Sequence, residues 1–164
     1  MKSKFLGFVC AAALVATPAV AIAATATTTF QVTATVISVC TVSATNLAFG
    51  NYDASAGGPN DNSSTVSVTC SNGSPYTVAL DAGTGSGATV AVRQMSNGGN
   101  TLGYSMYTTA GRTTVWADGT GGTSTQAGTG NGAAQNLTVY GRIATGQFVT
   151  AGNYADTVTA TITY

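Results

Sequence analysis

Tyr154-Ala155-Asp156-Thr157-Val158-Thr159-Ala160-Thr161-Ile162-Thr163-Tyr164 closes the chain. Tyr154, Val158, Ala160, Ile162 and Tyr164 align on one side of it, against Thr157, Thr159, Thr161 and Thr163 on the other. A period of two is the signature of a half-buried β-strand, whose successive side chains point to opposite faces. Working backward, the alternation recurs. Residues 136–143 align Leu137, Val139, Gly141 and Ile143, and residues 101–107 align Leu102, Tyr104 and Met106. Residues 76–81 place Tyr76, Val78 and Leu80 together, and residues 64–70 alternate through Val66, Val68 and Cys70. Residues 113–117 read as a short strand around Val115. Residues 25–39 set Phe30, Val32, Ala34 and Val36 opposite Gln31, Thr33 and Thr35. No window carries apolar residues at the i, i+3, i+4, i+7 spacing of a helix.

Turn-forming residues separate these runs. Gly57-Gly58-Pro59-Asn60-Asp61-Asn62 reads as a loop, and Asn72-Gly73-Ser74-Pro75 and Asn97-Gly98-Gly99-Asn100 as tight turns. Residues 119–132, rich in Gly, Thr and Ser, read as a long flexible insert. Short, regularly spaced strands with one cysteine pair predict an all-β chain, an immunoglobulin-like β-sandwich. The cysteine placement and Trp116, which follows both mature cysteines, depart from a true immunoglobulin domain.

Composition narrows the function. Only 6% of the 164 residues are charged, 44% are hydrophobic and 21 are Gly, and there is no His. That charge fraction is far below the roughly 25% of ordinary soluble domains. Ser-His-Asp catalysis is impossible without His, and no Glu is present to serve as a raised-pKa acid. No Lys or Arg cluster exists to form a nucleic-acid face.

Residues 1–23 read as a secretory signal peptide. Lys2 and Lys4 form the positive start, an apolar run follows, and Ala21-Ile22-Ala23 is a small-x-small cleavage pattern. Cys10 lies inside this segment, without the small preceding residue of a lipidated cysteine. Its removal leaves 141 residues, enough for one domain with a real core. Three arginines against five aspartates give the mature chain a net charge of −2, with no Lys. Cys40 and Cys70 remain, and in an oxidising compartment an even pair reads as a disulfide. Two thiols without histidine cannot complete a tetrahedral zinc site.

Other motifs are weak. Gly83-Thr84-Gly85-Ser86-Gly87 lacks the Lys and the helix of a phosphate loop. Asp61-Asn62 and Asp118 read as turn residues, not calcium ligands. Asn62-Ser63-Ser64, Asn72-Gly73-Ser74 and Asn136-Leu137-Thr138 match the glycosylation sequon, as chance allows in such a chain. Tyr107 and Trp116 are candidates for stacking on a sugar, the basis of an alternative reading as a secreted adhesin or carbohydrate-binding module. A secreted hydrolase is a remoter alternative, because the five aspartates are scattered.

Residues 25–39 have two readings. They pair within their own domain, or they form a free arm that adds to another sheet edge. Three stretches bear on the choice. The first is Val36-Ile37-Ser38-Val39-Cys40-Thr41-Val42 with Leu47-Ala48-Phe49-Gly50-Asn51-Tyr52. The second runs from Tyr104-Ser105-Met106-Tyr107 through Arg112-Thr113-Thr114-Val115-Trp116. The third is Leu137-Thr138-Val139-Tyr140-Gly141-Arg142-Ile143 followed by Ala151-Gly152-Asn153-Tyr154-Ala155-Asp156-Thr157-Val158. Together they resemble the spore coat protein U family, which includes the archaic chaperone–usher pilins of Gram-negative bacteria.

The resemblance implies an incomplete immunoglobulin-like sandwich lacking its last strand over residues 40–164. It implies a donor strand over residues 24–39, with Phe30, Val32, Ala34 and Val36 entering a neighbour's pockets. The last strand, with Val158, Ala160, Ile162 and Tyr164, would face a periplasmic chaperone, whose basic residues would hold the Tyr164 carboxylate. The implied partners are neighbouring pilin subunits, in a homopolymer or heteropolymer, the chaperone and an outer-membrane usher. No cofactor, metal or nucleic acid is implied. The implied destination is the periplasm and then the cell surface, as a pilus or spore-coat subunit without enzymatic activity.

Overall fold

The computed structural model describes residues 22–164. The signal segment read over residues 1–23 therefore lies outside the described residues, except for Ile22 and Ala23. The chain divides into two units, Met1–Thr35 and Val36–Tyr164. In the first unit, residues 22–35 carry no helix or strand, and all of them are exposed. The alternation of residues 25–39 thus appears without a strand, because no ladder partner exists for it among the described residues.

The second unit is all-β. Its strands are β1 (Cys40–Ala44), β2 (Asn60–Cys70), β3 (Pro75–Leu80), β4 (Arg93–Asn97), β5 (Asn100–Tyr107), β6 (Gln126–Thr129), β7 (Ala134–Ile143) and β8 (Ala160–Thr163). They form a five-stranded sheet of order β1-β2-β7-β5-β4 and a three-stranded sheet of order β6-β3-β8. All ladder pairs are antiparallel. The β4–β5 hairpin turns through Gly98-Gly99, with Asn97 opposite Asn100 and Gly98 at φ +58°, where a Cβ would be strained.

Inward side chains of the inner strands make the core. Val66, Val68 and Cys70 meet Tyr76, Val78 and Leu80, with Leu102, Tyr104, Met106, Val139 and Ile143 beside them. This burial follows the alternation read from the sequence. Trp116 is fully buried, and its indole Nε1 donates to the Val78 carbonyl at 3.0 Å.

Four expectations need correction. Residues 60–62 are not loop. They extend β2, because Asn60, Asp61 and Asn62 pair with Ile143, Arg142 and Gly141 of β7. Residues 113–117 form only isolated bridges, Tyr107 with Val115 and Trp116 with Ser124. The insert at 119–132 is not free either. It contains β6, which pairs with β3, and Ser124 exchanges backbone bonds of 2.8 Å with Val115 and Ala117 on either side of Trp116. Last, Trp116 offers no stacking surface. β4 had no recognisable alternation, since its buried residue is Arg93.

Arg93 organises the polar interior. Its Nε donates to the Asp81 carbonyl at 2.7 Å, and its Nη2 to those of Leu80 and Trp116 at 3.3 and 3.1 Å. Burial pushes its pKa below the ordinary guanidinium range, against the pull of Tyr104 and Asp81. On the outer face, Arg142 grips Asp61 with two bonds of 2.7 Å, directly across the β2–β7 ladder. Exposed pairs of this kind contribute little.

Cys40 and Cys70 form the expected disulfide, which ties the first residue of β1 to the last of β2. Its sequence separation is 30 residues. Closing a loop of that size stabilises by about 3–4 kcal/mol in the chain-entropy model. The double variant Cys40→Ala/Cys70→Ala is expected to lose about that much in urea denaturation, and a loss below about 1 kcal/mol contradicts this account.

Candidate functional site

Two strands end their sheets next to one another. β1 borders the five-stranded sheet, β8 borders the three-stranded sheet, and the two come close without a ladder between them. Between their flanks the interior lies open. One groove, of about 530 Å³, runs between residues 44–49 and residues 154–160. Its floor is core: Val66, Leu80, Tyr104, Met106 and Val139. A second hollow, of about 760 Å³, continues it past Phe49 and Tyr154 toward Tyr52, Gln147 and Phe148.

Graded burial marks the same seam. Residues on the inner strands are fully buried, whereas both flanks are only half-buried while packed on the core. One flank contributes Val42, Leu47, Phe49 and Tyr52, and the other Val149, Tyr154, Val158, Ala160 and Ile162. Along residues 154–163, half-buried and exposed positions alternate without a break, and the inward row is Tyr154, Asp156, Val158, Ala160 and Ile162. Tyr164 continues that row and is exposed. Ladder pairing, however, begins only at Ala160, so residues 156–159 are extended chain and not the strand expected from the sequence.

The first flank rests on a glycine. A Cβ at Gly141 would lie 2.6 Å from Leu47 Cδ2 and 2.8 Å from Phe49 Cζ. Its place in the apolar row of β7 is the space those two side chains fill. The second flank hangs from tethers. Ala155 and Ser96 exchange two backbone bonds of 2.8 and 3.1 Å, and Tyr154 Oη donates to the Thr150 carbonyl at 2.7 Å. Thr159 N donates to Asp81 Oδ1 at 2.9 Å, while Asp81 N donates to the Thr159 carbonyl at 3.1 Å. Asp156 accepts from the Tyr104 hydroxyl at 2.8 Å, and from Thr84 N and Oγ1 at 2.8 and 3.0 Å. Burial and the Asp156 bond push the Tyr104 hydroxyl well above its usual pKa. Asp156 and its bonds were not singled out from the sequence, where the only signal was the Asp within the Tyr-x-Asp-Thr-Val run.

Of the residues named for an arm, Phe30, Val32 and Val36 are exposed at 86%, 83% and 89%, and Ala34 is exposed as well. Ile37 at 71% follows them. Tyr107 lies half-buried on β5 and bridges Val115, whereas the neighbouring Trp116 is fully buried, so the two do not form a joint stacking platform. Among the described residues, no group of three His, Cys, Asp or Glu is placed to hold a metal.

The seam generates two expectations. Gly141→Val pushes Leu47 and Phe49 off the floor, and overpacking of this kind costs about 1–3 kcal/mol in chemical denaturation. For Asp81, burial raises the pKa, but the bonds from Thr159 and Gly83 outweigh it and the net shift is downward. A depressed folded pKa gives stability that is present above the unfolded carboxylate value, near about 4, and is lost as pH falls through the folded value. The Tm difference between the parent chain and Asp81→Ala is therefore largest above about pH 4 and narrows toward pH 2; a pH-independent difference contradicts the tether.

A family model for the Spore Coat Protein U domain matches residues 26–161. No curated protein matches the chain. Among solved structures, the chain is similar to one in the crystal structure of the CsuC–CsuE chaperone–tip adhesion subunit pre-assembly complex, from the archaic chaperone–usher Csu pili of Acinetobacter baumannii. Sequence identity is 22% and the TM-score 0.59. The likeness covers 79% of this chain but only 40% of that one. It is a likeness of fold, whereas the family model spans residues 26–161, most of the 164-residue sequence. The chain belongs to the Spore Coat Protein U domain family.

Proposed function

We propose that this chain is a structural subunit of a surface fibre or coat, built by donor-strand exchange. The observation that carries the reading is the open seam: a core floored by Val66, Leu80 and Val139, two half-buried walls, and no strand over it among the described residues. A strand laid in the seam would bond the free edges of β1 and β8 and cover the apolar row.

The chain carries a segment of matching chemistry. Phe30, Val32, Ala34 and Val36 alternate with polar residues and are exposed. Seven residues of extended chain span about 20 Å, close to the wall from Tyr154 to Ile162 at about 26 Å. Each apolar side chain buried contributes roughly 1.5–3 kcal/mol, less for Ala34, beyond the new ladder bonds. An arm of one subunit in the seam of the next is a head-to-tail contact, and repeated head-to-tail contacts build filaments.

On this reading, residues 1–23 are the export signal, residues 24–39 the donor arm and residues 40–164 the acceptor domain. A periplasmic chaperone holds the seam first, against Val158, Ala160, Ile162 and Tyr164, and an outer-membrane usher delivers the subunit to the cell surface. The solved complex of similar fold joins a chaperone and a pilus subunit, which supports this order of partners. The role is structural and not catalytic. Burial of Trp116 removes half of the stacking surface on which the carbohydrate-binding alternative rested.

The test uses the two faces of the arm. Val32→Asp is expected to abolish multimers on unheated denaturing gels and fibres in electron micrographs, while the subunit still accumulates in the periplasm. Thr33→Asp, on the opposite face, is expected to leave assembly intact. Undiminished fibres from Val32→Asp would refute the proposal.

A further inference from the structure

The wall of the groove from 154 to 159 poses a mechanical problem. It is extended chain without a ladder along most of its length, next to an interior that is not covered. Hydrophobic attraction alone would draw such a wall inward over the core and close the seam before any strand arrived. Something must hold it at its distance.

The geometry supplies a crosspiece. Phe49 on one wall packs edge-on against Tyr104 on the floor, with ring centroids 5.9 Å apart and planes at 67°. Tyr104 is 6% exposed, and its hydroxyl donates to Asp156 Oδ2 on the other wall at 2.8 Å. The line Phe49–Tyr104–Asp156 therefore crosses the groove from wall to wall. Asp156 is held from behind as well. Its Oδ1 accepts from Thr84 N at 2.8 Å, Thr84 Oγ1 at 3.0 Å and Thr157 N at 2.8 Å. The loop bearing Thr84 comes so near that a Cβ at Gly83 would collide with the carboxylate, and Gly83 sits at φ +77°, where glycine is favoured.

Asp156 is also the one charged residue in an inward row otherwise made of Tyr154, Val158, Ala160 and Ile162. A carboxylate facing the interior costs free energy unless hydrogen-bonded, and here four donors satisfy it. Its position repays that cost only if the bonds do something an apolar residue would not. An apolar side chain at 156 would add to the pull that closes the wall.

We infer that Tyr104 and Asp156 are positioning residues for strand capture, a spacer that fixes the width of the empty groove. The inference rests on the donor-strand reading above and deepens it. The pair acts before the incoming strand arrives. Once a strand fills the seam, ladder bonds hold the wall and the spacer matters less. Its loss therefore slows association and leaves dissociation of the filled complex nearly unchanged.

The experiment follows capture of a synthetic peptide copying residues 25–39 by the exported chain at low concentration. Association is read from fluorescence of a labelled peptide, and dissociation by chase with unlabelled peptide. Tyr104→Phe, which keeps the ring and removes the hydroxyl, and Asp156→Ala are each expected to slow association by about tenfold, the factor for losing a hydrogen bond to a charged group. The double variant is expected to be no slower than either single one, because the two residues act as one unit. Dissociation is expected to change by less than about twofold, since the spacer is redundant in the filled state. Thr84→Val, at an exposed position outside the core, removes one bond behind Asp156 and gives a smaller slowing even if the core variants fold poorly. Undiminished association in all variants overturns the inference. So does a rise in the dissociation rate as large as the fall in the association rate, since that marks a merely structural role. If the parent chain captures no peptide at all, the donor-strand reading itself falls, and the inference falls with it.

Discussion

β1 and β8 approach each other at the borders of their two sheets, and no ladder joins them. A β-sandwich is stable when both inner faces are covered and its edge groups are bonded or solvated. Here the interior strands meet the first condition, but the border does not. Val42, Leu47, Phe49, Val158, Ala160 and Ile162 touch the core with one side and remain half-open on the other. The groove and the graded burial coincide at this border, where no ladder joins the two strands.

The rest of the unit is built to keep the gap ordered. A disulfide anchors β1 at its start, and Gly141 leaves room for Leu47 and Phe49 to lie on β7. On the far side, Asp81 and Asp156 hold the wall that has no strand partner over residues 156–159. Arg93, fully buried, gathers the carbonyls of Leu80, Asp81 and Trp116, which places the end of β3 and the Trp116 segment against one another. In a chain so poor in charge, several of the few charged groups are spent on this framework, and little of the surface is governed by long-range electrostatics.

Much of the architecture was legible along the sequence. Leu102, Tyr104 and Met106, or Tyr76, Val78 and Leu80, alternate on one face whatever they pack against, and they are buried as that pattern requires. The reading failed where a partner distant in sequence decided the outcome. Asn60, Asp61 and Asn62 look like turn residues, yet β7 draws them into a ladder. The Gly-rich insert looks mobile, yet Trp116 and β3 order it. Trp116 looks available for a ligand, yet it fills the centre of the core. The resemblance implies a sandwich without its last strand, but the alternation at 156–159 is extended chain and not strand, and the role of Asp156 depends on Tyr104, 52 residues away.

The sequence by itself determined which side chains share a face, that Cys40 and Cys70 are the pair available for a bridge, and that residues 30–36 present apolar groups at every second position. Those properties follow from local covalent geometry, since Cβ atoms alternate along any extended chain. Only the tertiary structure decided which edges lack a neighbour, how far apart the two walls stand, and which polar groups hold them there. Such matters depend on contacts between segments far apart in the chain, and no local pattern encodes the distance between two sheets.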